Sequence, residues 1–217
     1  MAQQRRALET RAAILGGASS VFLARGYAET SLDQVTDAAG VTKGALYFHF
    51  RSKADLATAV VAEQQRLSRA WTELAVADAG SAAEALVLSC ASFATQLSTE
   101  PMVAAGLRLS TESIGEVPSR APSALEWVRE TAGHVGRAVE EGTFRADLDV
   151  DRAARFVVGA FSGVQTFSAL ATGHADVFER LQDMMHFVLP SLLSVRSAGL
   201  VDGLAALIRP TDRPPVD

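Results

Sequence analysis

A chain of 217 residues with 48% hydrophobic residues is long enough to bury one sizeable core or two smaller ones. Its single cysteine, Cys90, excludes an intramolecular disulfide, and the polar, charged opening from Met1 to Arg11 is unlike a secretory leader and points to the cytoplasm. The formal charge of −5 is uneven: residues 1–53 hold seven Lys/Arg against four acids, net +3, and the rest hold 13 against 21, net −8, so two parts with different partners are expected.

The elements read as helix after helix, without a run of strand-like alternation. Leu8, Ala12, Leu15, Ala18 and Phe22 recur at helical spacing and predict a first helix. Gly26 stops it, with Arg25 in the last turn. Ser31-Leu32-Asp33-Gln34 is a capping box, a hydroxyl followed three residues on by an amide, and opens a short helix ending at Gly40. Thr42 can cap a third, about two turns long. Ser52 caps a fourth, with Asp55 in its first turn. That helix is expected over 53–77, roughly 35 Å long, with the stripe Leu56, Val60, Gln64, Leu67, Trp71 and Leu74. Further helices are expected over 82–97, from Pro101 after Thr99 or Glu100, over 123–141, 151–171 and 176–196, and in a short piece at 201–208. Ser113–Pro122 reads as a loop and Arg209–Asp217, with three prolines, as a frayed tail. Phe156–Gly173 is uncharged and near membrane-spanning length. Its Gly159, Ser162, Gly163, Gln165, Thr166 and Ser168 fit a buried bundle helix or a dimer interface instead, and no membrane partner is expected.

Helices over 32–39 and 43–50 joined by Gly40-Val41-Thr42 make the helix-turn-helix pattern, whose second helix enters the DNA major groove. Leu46 and Phe50, spaced i and i+4, would face a small core, with Lys43, Gly44, Tyr47 and Phe48 outward. Gly44 costs a helix about 1 kcal/mol against Ala, but its missing side chain lets the helix N-terminus sit close to a duplex. The N-terminal amides, the Thr42 hydroxyl and Lys43 can meet phosphate or base edges, and Tyr47 and His49 can hydrogen-bond phosphate. Without a duplex, Tyr47, Phe48 and His49 read as ordinary packing or surface residues.

Residues 11–56 resemble the DNA-binding domain of TetR-family transcriptional regulators, with "TKGALYFHF" and "SKADL" at the family spacing. The resemblance implies an all-α homodimer. Its parts are an N-terminal three-helix helix-turn-helix DNA-binding domain at 1–52, a helical ligand-binding and dimerisation domain at 53–208, and a disordered tail at 209–217. It implies contacts to double-stranded operator DNA from Ser31, Thr42, Lys43, Gly44, Ala45, Tyr47 and His49, and a backbone-phosphate contact from Lys53. Arg5 and Arg6 lie in an arm that can reach further.

Beyond the head, polar residues on apolar faces draw attention. Gln64 interrupts the stripe Val60–Leu67–Trp71, and Gln165 interrupts 156–173. A buried amide left without a partner costs about 1–3 kcal/mol, so each has a ligand, another side chain or solvent beside it. Trp127 shares a helix face with Thr131, His134 and Ala138, and a lone tryptophan is more often core than ligand anchor. "AAGLRLS" (104–110) and "SALEWVRE" (123–130) are similar to the γ-butyrolactone receptor subgroup of the same family. This implies that Trp127 lines a signal pocket, with Gln64 and "GAFSGVQ" (159–165) beside it. The candidate ligand-binding set is Val60, Gln64, Leu86, Phe93, Leu107, Leu109, Trp127, Thr131, Phe161 and Gln165.

Enzyme readings find little footing. His49, His134, His174 and His186 show no metal-ligand spacing, Gly159–Gly163 is not G-x-S-x-G, and no phosphate loop or dinucleotide fingerprint occurs. Asp147, Asp149 and Asp151 lack the Gly and distal Glu of a calcium loop and read as capping or solvated residues. No metal or cofactor is expected. The expected function is a dimeric repressor on a pseudo-palindromic operator, released by a γ-butyrolactone-type or related butenolide or furan signal and controlling secondary metabolism. The alternatives are a pseudo-receptor, a regulator answering to another ligand such as an antibiotic, and a lactone hydrolase with a vestigial DNA head.

Overall fold

The computed structural model describes the backbone of residues 2–112 and 121–212. These form helices α1 (Ala2–Glu29), α2 (Leu32–Ala39), α3 (Lys43–His49), α4 (Lys53–Val76), α5 (Ala82–Thr99), α6 (Pro101–Thr111), α7 (Ala121–Glu140), α8 (Val150–Thr172), α9 (Val177–Leu192) and α10 (Val201–Ala205), with a 3-10 turn over Val195–Leu200. The fold is all-α, as expected, and no strand occurs among the described residues. None of the described helices is long and apolar enough to cross a membrane. Most of the expected loop at Ser113–Pro122 lies outside the described residues, although Pro122 already belongs to α7.

The contacts divide the chain into two compact units. The first holds α1–α3, α4 as far as Ser68, and α6; the second holds the rest of α4, α5 and α7–α10. The chain therefore leaves the first unit within α4, returns for α6, and leaves again.

In the first unit, the expected stripe of α1 needs correction. Leu8 is 63% exposed and Ala12 is exposed, whereas Ile14, Leu15, Ala18 and Phe22 are buried. Only this later part has core partners, among them Val35, Leu46, Leu56 and Val60. Each such large side chain contributes about 1.5–3 kcal/mol of apolar burial. Gly26 breaks α1 at φ +76°, ψ 176°. A Cβ there would stand 2.5 Å from Glu112 Oε1, so conformation and space both demand glycine.

The turn after Gly26 is held from two sides. Glu112, at the end of α6, accepts from the Tyr27 N–H at 2.8 Å and from Arg108 Nε at 2.7 Å. Arg108 Nη1 donates to the Leu23 carbonyl at 2.6 Å. From α4, Lys53 Nζ donates to the carbonyls of Tyr27 and Thr30 at 2.8 and 2.9 Å and stands 4.4 Å from the Tyr27 ring centroid. The capping box of α2 is complete: Gln34 N–H donates to Ser31 Oγ and Ser31 N–H to Gln34 Oε1. Gly40 closes the helix in the left-handed region. Thr42 Oγ1 accepts from the Ala45 N–H at 3.2 Å and caps α3. α6 approaches α4 closely, because a Cβ on Gly106 would meet Gln64 Cβ at 2.5 Å.

The second unit packs α5 and α7–α10 around Leu86, Val87, Cys90, Phe144, Phe161, Leu181, Met185 and Leu189. Asp149 caps α8 through the Arg152 N–H. At the α8–α9 turn, Asp176 accepts from Arg180, Ser168 and Thr172, and these bonds hold its carboxyl well below the usual carboxylate range. The expected fraying of the tail is corrected at its start: the Thr211 N–H donates to Thr95 Oγ1 at 3.0 Å. Residues 213–217 lie outside the described residues.

Two outcomes follow from this packing. Gly26→Ala lowers stability by about 1–3 kcal/mol, read as a lower urea midpoint, because it combines a left-handed backbone with a side-chain clash. Cys90 is buried and desolvation pushes its thiol up to about 12. It therefore resists alkylation in the folded protein at pH 8 and reacts in urea; rapid labelling of the native state by mass spectrometry would contradict the packing.

Candidate functional site

The first unit presents α3 as its reading surface. Leu46 and Phe50 are buried, which turns the remaining side chains outward. Tyr47 is 56% and Phe48 80% exposed. His49 is half-buried between the Phe48 and Phe50 rings. Ser31, Thr42, Lys43 and Gly44 are exposed, and Ala45 is half-buried. Apart from the Thr42 hydroxyl, nothing crowds the place where Gly44 would carry a Cβ. The Ser31 and Thr42 oxygens accept from their own helices, which leaves each hydroxyl proton available to a phosphate.

Lys53 also has partners within its own chain. Its ammonium has three protons, and the carbonyls of Tyr27, Ala28 and Thr30 lie at 2.8, 3.4 and 2.9 Å. In this arrangement Lys53 fastens α4 to the end of α1. The expected arm is also helical, since α1 begins at Ala2, and Arg5 pairs with Glu9 at 3.3 Å.

The candidate ligand residues divide between the units. Val60 and Leu109 are fully buried in the core of the first unit with Phe22 and Leu56. Their surfaces are used by neighbouring side chains, as are those of Leu86 and Phe161 in the second unit. Gln64, in the same unit, donates to Ser68 Oγ at 3.0 Å and abuts Gly106, so its amide N–H has a partner on its own helix. Leu107 is half-buried on α6.

The other six belong to the second unit. Phe93, Trp127 and Phe161 form a ring cluster with centroids 5.7 Å (Phe93–Trp127), 6.2 Å (Phe93–Phe161) and 5.5 Å (Trp127–Phe161) apart. Leu86 is buried in the same core, and Thr131, one turn beyond Trp127, is buried. Gln165 lies one turn beyond Phe161 on α8, only 1% exposed, and neither its Nε2 nor its Oε1 has a hydrogen-bond partner. An unpaired buried amide disfavours the unliganded state by about 1–3 kcal/mol.

One residue of this neighbourhood escaped the sequence reading. Gln96, one turn beyond Phe93, is fully buried; its Nε2 donates to Ser92 Oγ and its Oε1 is unpartnered. The signal was present in "SFATQL", where an amide interrupts an apolar helix as Gln165 does. Among the described residues no cluster of His, Cys, Asp and Glu could hold a metal ion.

Comparisons with known proteins agree with this geometry. The family described as bacterial regulatory proteins, tetR family, matches residues 14–60, and a tetracyclin repressor-like C-terminal domain matches residues 80–194. The A-factor receptor protein of Streptomyces griseus is 33% identical over 216 residues, covering 98% of this chain and 72% of that protein. The crystal structure of a γ-butyrolactone receptor (ArpA-like protein) matches with TM-score 0.75 and 33% identity, over 94% of this chain and 97% of that one. CprB from Streptomyces coelicolor, in complex with its operator sequence, matches with TM-score 0.80 and 33% identity, over 95% of this chain and 100% of that one. These relatives are regulators and receptors, which removes the hydrolase reading. A helix-turn-helix head and a C-terminal domain that both match, with near full-length likeness, identify the chain as a member of the TetR family of bacterial transcriptional regulators.

Proposed function

We propose that this regulator is a dimeric repressor of a pseudo-palindromic operator, released by a γ-butyrolactone or a related butenolide or furan signal, and that it controls secondary metabolism. The observation that carries the ligand half is Gln165, a buried amide with neither polar atom satisfied, one helical turn from the Phe93–Trp127–Phe161 cluster. A lactone carbonyl accepts from its Nε2, a ligand hydroxyl donates to its Oε1, and the rings supply an apolar wall. The relatives described as A-factor and γ-butyrolactone receptors support this ligand class.

The DNA half rests on the outward face of α3. In a dimer, two copies of this helix enter successive major grooves roughly 34–36 Å apart. Thr42, Lys43 and Tyr47 meet backbone and base edges, with Gly44 giving the close approach. The dimer itself forms through α8 and α9. Leu170 is 82% and Phe187 85% exposed, and Phe167 and Phe187 flank a hollow of about 330 Å³. Apolar groups this exposed on adjacent helices suit a second copy of the chain. Ligand binding favours a state in which the two heads no longer match the half-sites, to the extent that it binds that state better. α4, continuous from Lys53 to Val76, and the return of the chain into α6 are the covalent routes from one unit to the other.

The mutual contact of the three rings favours a second reading, in which the site is filled by its own side chains and the protein is a pseudo-receptor or answers to a different ligand such as an antibiotic. A fluorescence titration separates the two. Trp71 is buried in the second unit, so a Trp71→Phe background leaves Trp127 as the reporter. Saturable quenching by a synthetic γ-butyrolactone, lost in Gln165→Leu, is expected; a flat titration at the ligand's solubility limit leaves the pseudo-receptor. Lys43→Ala weakens operator binding about tenfold and lowers the salt dependence, measured by anisotropy. Phe187→Glu yields a monomer by light scattering, and an unchanged dimer would remove α9 from the interface.

A further inference from the structure

Lys43 is the only lysine or arginine on α3, and it does not stand free. Its ammonium lies 2.7 and 2.8 Å from the two carboxylate oxygens of Asp33 in the first turn of α2. The side chains are 65% and 66% exposed, so the pair sits at the surface, on the first turns of α2 and α3. Asp37, one turn further along α2, adds a second negative charge that Lys43 feels, and together they raise the lysine's affinity for its proton. Asp33 itself stands in the first turn of α2, at the positive end of the helix dipole.

Such a pair contributes little to folding, since exposed ion pairs contribute about 0–1 kcal/mol. Its consequence lies in what DNA meets. A phosphate that attracts Lys43 also approaches the Asp33 carboxylate, and the two like charges repel. With Asp33 at both oxygens, the ammonium has a competing partner beside any phosphate that approaches it. Base edges impose no such penalty: guanine O6 and N7 are uncharged acceptors for Lys43, and cytosine N4 is a donor for Asp33.

We infer that Asp33 is a specificity-determining positioning residue, which restrains Lys43 toward base edges and penalises binding to arbitrary duplex. The inference rests on the proposed placement of Lys43 at DNA. A carboxylate about 7 Å from a phosphate in water costs about threefold in affinity, so two half-sites together cost about tenfold.

The test uses the full-length protein and two labelled duplexes: the tightest sequence recovered by selection from a random library, and a scrambled duplex of the same composition. Asp33→Asn is nearly isosteric at an exposed position, and an unchanged melting temperature checks its fold. The expected result is a gain of about fivefold or more on the scrambled duplex, a gain under about twofold on the selected one, and a salt slope on scrambled DNA steeper by about one per protomer. A ratio of the two affinities within about twofold of wild type overturns the inference, whether both affinities rise, fall or stay. In a Lys43→Ala background, Asp33→Asn alters the ratio by less than half as much as in wild type, because only the direct carboxylate–phosphate repulsion remains; an undiminished effect means that Asp33 does not act through Lys43. Lys43→Ala alone distinguishes the two levels. If it leaves the selected duplex bound as tightly as wild type, the placement of Lys43 at DNA has failed; if it weakens binding while Asp33→Asn does nothing, only the role of Asp33 has failed.

Discussion

The first unit depends on one turn of chain, Gly26 to Thr30, where α1 ends and the helix-turn-helix begins. A helix end exposes backbone groups that must find partners. Here α6 and α4 supply them: Glu112 takes the Tyr27 N–H, and Lys53 takes the Tyr27 and Thr30 carbonyls. Arg108 completes the arrangement by holding both Glu112 and the Leu23 carbonyl. The side chains that fasten the head therefore come from residues 53, 108 and 112. This explains why α6 packs in the first unit although it follows α5 of the second in the chain. Of these two elements, α4 itself continues into the second unit, whereas α6 lies wholly within the first.

The division of labour follows the charge. The basic end carries exposed polar and aromatic groups on α3, with a small core of Leu46, Phe50, Leu56 and Phe22 behind them. The acidic body carries a larger core in which two glutamines, Gln96 and Gln165, lack partners for one or both amide atoms. Retaining amides there suits a site whose stabilising partner arrives from outside. The exposed aromatic residues of α8 and α9 are the apolar groups on which the proposed dimer rests.

Local features were legible in the sequence because their causes are local. The capping box at Ser31–Gln34, the Thr42 cap, Pro101 in the first turn of α6 and the outward Tyr47 all follow from spacing within a few residues. What was not legible involves partners distant in sequence. Nothing near Lys53 indicates that three carbonyls around residue 28 will take its protons. Val60 and Leu109 look like any apolar helix residues until α6 is seen to pack with the head. Leu8 and Ala12 continue a helical stripe, but only the later turns of α1 have a core to join. Gln165 was identified as an interruption of an apolar face, and the same reasoning applied to "SFATQL" would have included Gln96.

The central claim is that a small lactone controls operator binding by this chain. The most direct measurement is anisotropy of labelled DNA from upstream of its own gene, at two salt concentrations, with and without a γ-butyrolactone. The account predicts tight, salt-sensitive binding that the lactone reverses in wild type but not in Trp127→Ala. Binding that persists unchanged at saturating lactone would contradict it and leave a regulator without this signal.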